Sequence, residues 1–153
     1  MQIVNHSVLS PNASLCEIPL VAARQEVVKR RWRGVADDGM EFGFDLKKPL
    51  RHGMTFWQSA TARYVLHQQP EAVVEIALDL PPSAVAGLGW AIGNLHLELA
   101  SESTRLLAPD ETAVRALLDR LDVPYRTTSA VFQPGRFARH QQAPHELGPS
   151  HRH

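Results

Sequence analysis

Met40, Phe42, Phe44 and Leu46 alternate with Glu41, Gly43 and Asp45, and this strict period of two constrains the chain more than any other feature. Successive side chains of a strand point to opposite faces, so such a run is a half-buried strand and not a helix, whose faces repeat every ~3.6 residues. Asp38-Gly39 just ahead of it is a pair suited to tight turns, and Glu26 to Leu46 therefore reads as a β-hairpin. Further extended pieces are expected around Met54 to Trp57 and Arg63 to His67, with Pro49 and Gly53 marking the bend. Residues 1–70 are expected to form a small all-β domain.

Gln68-Gln69-Pro70 reads as a linker, and beyond it the pattern changes character. Ala72 to Leu78 is expected to be a buried strand with Val74, Ile76 and Leu78 on one face. Pro81 and Pro82 fit only the start of a helix, and Val85, Leu88, Ile92 and Leu95 follow at three- and four-residue spacing until Gly93-Asn94, a pair suited to a left-handed helix end. Period two returns from His96 to Ala100, with Leu97 and Leu99 inward and His96 and Glu98 on the opposite face. A short strand near Thr104 to Leu107, a helix capped by Asp110 with Val114, Leu117, Leu118 and Leu121 on one face, and a last strand over Tyr125 to Phe132 complete the run. The expected class is α+β: a small all-β domain (1–70), a ferredoxin-like βαββαβ domain (71–133), and a flexible His-containing tail (134–153) that lacks the periodicity needed to bury surface.

Composition excludes several functions. Lys plus Arg equal Asp plus Glu at 16 each, so no overall field draws the chain to nucleic acid or an anionic membrane. Cys16 is the sole cysteine, which excludes an intramolecular disulfide and a thiolate zinc cluster built from one chain. It reads as a minor core residue in a protein of the reducing cytoplasm. No stretch approaches the ~18 apolar residues of a membrane span. A Gly-rich phosphate loop, a His-Glu-X-X-His helix and a nucleophile elbow are all absent from the sequence, so no enzyme is expected. Histidine is the oddity: of eight, His140, His145, His151 and His153 fall in the last fourteen residues, interrupted by Gln, Ala, Pro, Glu and Leu as a purification tag would not be. His6, His52 and His67 are scattered over the first domain and read as surface or capping residues.

Four features coincide: a β unit with Asp37-Asp38-Gly39 in its hairpin, a ferredoxin-like second unit, Gly93-Asn94-Leu95-His96 at the end of its first helix, and a His-bearing tail. Together they resemble UreE, the family of nickel metallochaperones of urease maturation. The resemblance implies that His96 lies at a homodimer interface, where two copies converge on one Ni(II) ion, and that His140 and His145 first, then His151 and His153, complete its coordination. It also implies partners: the urease apoprotein and its GTPase-containing accessory complex, with the β unit as a peptide or partner docking module. Neutral imidazole suits nickel, and equally zinc or copper in vitro, and a site of few ligands releases its ion readily. The chain departs from the family pattern at Leu95, where arginine is common, at Ala91-Ile92, where a histidine often stands, and at Asp110-Glu111-Thr112, where some relatives carry further histidines.

Two other readings stay open at this level. One is a general nickel or zinc buffer whose tail sequesters ions without a specific acceptor. The other is a non-metal protein- or RNA-binding module using the basic hairpin segment Lys29-Arg30-Arg31-Trp32-Arg33, although strand alternation would split that cluster between two faces.

Overall fold

The computed structural model describes residues 1–139 and 142–146, and the chain divides into two compact units, Met1–Pro70 and Glu71–His153. The first unit contains β1 (Gln2–Val4), β2 (Cys16–Ala22), a one-turn helix α1 (Arg24–Val27), β3 (Arg31–Val35), β4 (Glu41–Asp45), β5 (Thr55–Gln58) and β6 (Ala62–Gln68). Its strands form two three-stranded sheets, ordered β1-β4-β3 and β2-β6-β5. The unit is thus not purely β: Ala23 to Val27 form a helical turn that buries Val27, because Val27 N–H bonds back to Ala23 O at 3.1 Å. The hairpin proper starts only at Arg31, facing Asp45.

Alternation in β4 does what the period of two demands. Phe42 and Phe44 enter a shared core with Leu20, Trp32, Phe56, Tyr64 and Leu66, while Glu41 and Asp45 face outward. Trp32 stacks on Phe44 at 4.0 Å and Phe56 meets Phe42 edge-on at 5.0 Å, geometries that suit aromatic quadrupoles. The Asp37-Asp38-Gly39 turn has a structural role: Gly39 takes φ 85°, and the Asp38 carboxylate accepts bonds from Met40 N–H (3.0 Å) and from the buried Tyr64 hydroxyl (2.7 Å). Those two donors, the Met40 amide first, hold the Asp38 carboxyl below the usual carboxylate range.

The second unit runs β7 (Glu71–Ala77), α2 (Pro82–Gly93), β8 (Ala100–Ser101), β9 (Arg105–Pro109), α3 (Thr112–Arg120) and β10 (Arg126–Ala130), the order strand, helix, strand, strand, helix, strand. Its antiparallel sheet is ordered β10-β7-β9-β8. One face, through Val74, Ile76, Leu106 and Ala108, packs on Leu88 and Ile92 of α2 and Val114, Leu117 and Leu118 of α3. The other face buries Val73 and Leu107 beneath Phe132.

Two further strands, β11 (Arg136–Arg139) and β12 (Gln142–Glu146), pair antiparallel with Phe137 opposite His145. The expectation of a structureless tail from residue 134 does not hold for this stretch. A backbone ladder forms here without an alternating apolar pattern, so periodicity gave no signal of it. His140, His151 and His153 lie outside the described residues.

Glu75 ties three strands of the second unit together. It faces Arg126 across the β7–β10 ladder, with Arg126 Nη2 2.6 Å from Oε1, and takes a second bond from Arg105 Nη1 of β9 at 2.8 Å. Its side chain is 11% exposed. Burial alone would raise its pKa, but the two guanidinium groups outweigh that and hold it below the ordinary glutamate value of 4.5. A depressed folded-state pKa stabilises the fold above the unfolded value and loses that contribution as pH falls through the folded one. Glu75→Gln is therefore expected to lower unfolding free energy by about 1–2 kcal/mol near neutral pH, the larger share from the less exposed Arg105 partner. In urea titrations the gap between wild type and variant should close as pH drops below 4.5.

Candidate metal centre

Helix α2 carries Pro82 in its first turn, where the missing N–H is harmless, and has no charged residue along its length. Leu88 and Ile92 face the core. The opposite face is open: Ser83, Ala86, Gly87, Trp90 and Gly93 are all exposed, and Trp90 is 72% so. A Cβ added at Gly87 or Gly93 would meet nothing within 4 Å. A mid-helix glycine costs about 1 kcal/mol relative to alanine, and nothing around Gly87 in the described chain demands that cost, whereas Gly93 is the last residue of the helix.

The helix end differs from expectation. Neither residue of the Gly93-Asn94 pair, expected to supply the left-handed end, does so: Asn94 caps the helix at φ −66°, and the chain tightens through Leu95 N–H to Ile92 O (3.0 Å) and His96 N–H to Gly93 O (2.9 Å). The left-handed residue is His96 itself, at φ 57°. Nor does His96 begin a strand, since ladder pairing starts only at Ala100. The alternation survives without a ladder: after the reversal at His96 the chain runs along the core, so Leu95, Leu97 and Leu99 pack against it while His96 and Glu98 are exposed. The imidazole thus sits just past the end of the uncharged, glycine-bearing face.

The structure also places the start of the histidine segment. Gly135, at φ 75°, donates its N–H to Leu99 O at 2.9 Å, three residues from His96, and β11 then runs beside β8. His145 lies on β12, in register with Phe137. Among the described residues no three His, Cys, Asp or Glu side chains gather closely enough to hold a metal ion. His96 is therefore not part of a finished cluster within one described chain.

The other titratable candidates have structural partners. His67 Nε2 lies 2.9 Å from Glu17 Oε1, Glu17 also pairs with Arg63, and His52 Nδ1 accepts the Gln68 N–H at 3.1 Å. His52 and His67 are thus linking and capping residues, and His6 is exposed. Cys16, expected in the core, is exposed at the start of β2. Alternation gives it the parity of the buried Leu20 and Ala22, but it is the first residue of β2, and the buried part of the strand begins only at Leu20. Trp90 and the open glycines were missed in the sequence; the signal was there, as a helix with no charge on the face opposite its apolar stripe.

Residues 71–153 match the family model described as UreE urease accessory protein, C-terminal domain. The chain is 26% identical to the urease accessory protein UreE of Deinococcus radiodurans over 116 residues, covering 76% of this chain and 74% of the relative. It is 31% identical to that of Geobacillus kaustophilus over 106 residues, 68% and 71% of the two chains, and 29% identical to that of Brucella anthropi over 120 residues, 77% and 70%. These likenesses define a urease accessory protein, a class that serves an enzyme and is not one. Within that class the chain belongs to the UreE family.

A histidine at φ 57° carries a backbone cost that glycine escapes, about 1 kcal/mol. His96→Gly should accordingly melt at or slightly above the wild-type temperature, followed by circular dichroism. A clear drop in melting temperature would mean that the imidazole supports the fold, contrary to its exposure.

Proposed function

We propose that this chain carries Ni(II) as cargo to urease during maturation of the enzyme's active site, holding the ion between two copies of itself. The observation that carries the reading is the position of His96: exposed, held in a left-handed turn, at the end of a helix whose outer face has no charge. One imidazole is a poor nickel site, but a twofold axis beside this helix end doubles it. Gly87 and Gly93 would let two α2 helices approach closely, and Trp90 would lose its solvent-exposed area in the contact. Both features are unexplained within one chain and are explained by a homodimer of ferredoxin-like second units.

His140, His145, His151 and His153 supply additional ligands in this reading. Support comes from the Gly135–Leu99 bond, which starts the histidine segment beside the turn that bears His96. Each donor needs its lone pair free, so loading competes with protonation, and a site built from separate segments can shed ligands one at a time to an acceptor. The acceptor is the urease apoprotein with its GTPase-containing accessory complex, reached through the first unit as a docking module. The setting is the cytoplasm; among the described residues no helix is long and apolar enough to cross a membrane.

Calorimetric titration with nickel checks the centre. Removing residues after Gln133 should leave one weaker site per dimer, and His96→Ala in that shortened chain should abolish it. Identical isotherms with and without His96 would instead favour a tail-based buffer. Sedimentation velocity checks the interface. Gly87→Leu and Trp90→Ser should each shift the dimer toward monomer, whereas an unchanged dimer would place the contact elsewhere.

A further inference from the structure

The outward face of the sheet β1-β4-β3 combines chemistry that the metal reading does not use. Among the described residues, three of the eight exposed large hydrophobic ones lie here: Met1 (64% exposed), Ile3 (54%) and Val35 (57%). They share the face with Arg31 and Arg33, because Trp32 between those arginines points into the core. The register aligns Ile3, Gly43 and Arg33 in one row across the three strands. Gly43 offers no side chain, so Ile3 lies over it: a Cβ built there would stand 3.0 Å from Ile3 Cδ1 and 3.5 Å from Met1 Sδ. The result is a shallow aliphatic shelf with a guanidinium beside it.

Charge around the shelf is unbalanced. Arg31 pairs with Asp45 at 2.8 Å and Lys29 with Glu26 at 2.7 Å. Arg30, Arg33, Lys47 and Lys48 are exposed and make no ion pair among the described residues. The bond from Leu46 N–H to Arg30 O (2.8 Å) places Arg30 across from Leu46, so Lys47 and Lys48 emerge at the same end of the β3–β4 ladder. Asp37, Asp38 and Glu41 lie at the other end, so the hairpin is polarised although the chain's formal net charge is +0.

We propose that this face docks an acidic, partly apolar segment of a partner protein, with an aliphatic side chain seated on Met1, Ile3 and Val35 and carboxylates on Arg33 and the Arg30–Lys47–Lys48 end. The proposal deepens, and rests on, the reading of the first unit as a docking module. Charge complementarity selects an acidic partner, and methionine and arginine are among the side chains that protein interfaces favour. Nucleic acid fits less well. Trp32, the aromatic that could stack a base, is buried on the other side of the strand.

The test uses the full chain and three fluorescein-labelled probes read by anisotropy: a peptide of repeated Glu-Glu-Leu, its Lys-Lys-Leu counterpart and an oligouridine RNA of equal length. The acidic peptide should bind, added salt should weaken it, and Arg33→Glu with Val35→Ser should weaken it about tenfold. The milder Arg33→Gln should weaken it less, with unchanged circular dichroism for every variant. Absence of acidic-peptide binding, indifference to these substitutions, or preference for the RNA would each overturn the proposal. A second arm measures association of the wild-type chain with urease apoprotein and its accessory complex. Association that Arg33→Glu and Val35→Ser leave unchanged overturns the face and spares the docking reading, whereas no association at all removes both.

Discussion

Helix α2 ends without a glycine in the left-handed position, and the geometry of the candidate site follows from that constraint. Two tight backbone bonds, from Leu95 to Ile92 and from His96 to Gly93, close the helix and force the next reversal onto His96. The same reversal turns Leu97 and Leu99 onto the core and turns the imidazole away from it. A non-glycine residue in such a conformation persists only where its surroundings over-determine it, and here the surroundings are a buried helix face on one side and an apolar extended segment on the other. Fold and site are therefore coupled through a single residue whose side chain contributes little to the fold.

An exposed imidazole beside an uncharged helix face is incomplete by itself. Metal affinity from one neutral nitrogen is small, and exposed glycines and tryptophan on a helix gain nothing from water. Pairing of two chains answers both at once, which is the economy behind the proposed carrier. An ion held between two copies, with further donors from a separate segment, is bound by parts that can move apart. A catalyst needs its ligands fixed; a carrier needs them to let go.

Much of the fold was legible because period two and the helical repeat each mark a face that must be buried. Phe42 and Phe44 of β4, Val74 and Ile76 of β7, and Leu88 and Ile92 of α2 fall in the cores where alternation or helical spacing put them. Illegible features were those set by backbone bonding and not by side-chain pattern: the turn at Arg24–Val27, the left-handed His96 in place of the Gly93-Asn94 pair, and the strand pair that begins at Arg136. Residue type alone suggests a core position for Cys16, whereas its place at the very start of β2, ahead of the buried Leu20 and Ala22, leaves it exposed. His96 itself was singled out by motif resemblance and not by periodicity. The uncharged outer face of α2 is written in the sequence, but only the structure shows that Gly87, in mid-helix, has no neighbour that explains it.

Nickel-edge anomalous diffraction from crystals of the full chain grown with nickel tests the shared site most directly. The account predicts one strong anomalous peak on a twofold axis, with a ring nitrogen of each His96 at about 2 Å. A peak bound by one chain alone, or two His96 rings remote from any nickel, would contradict it.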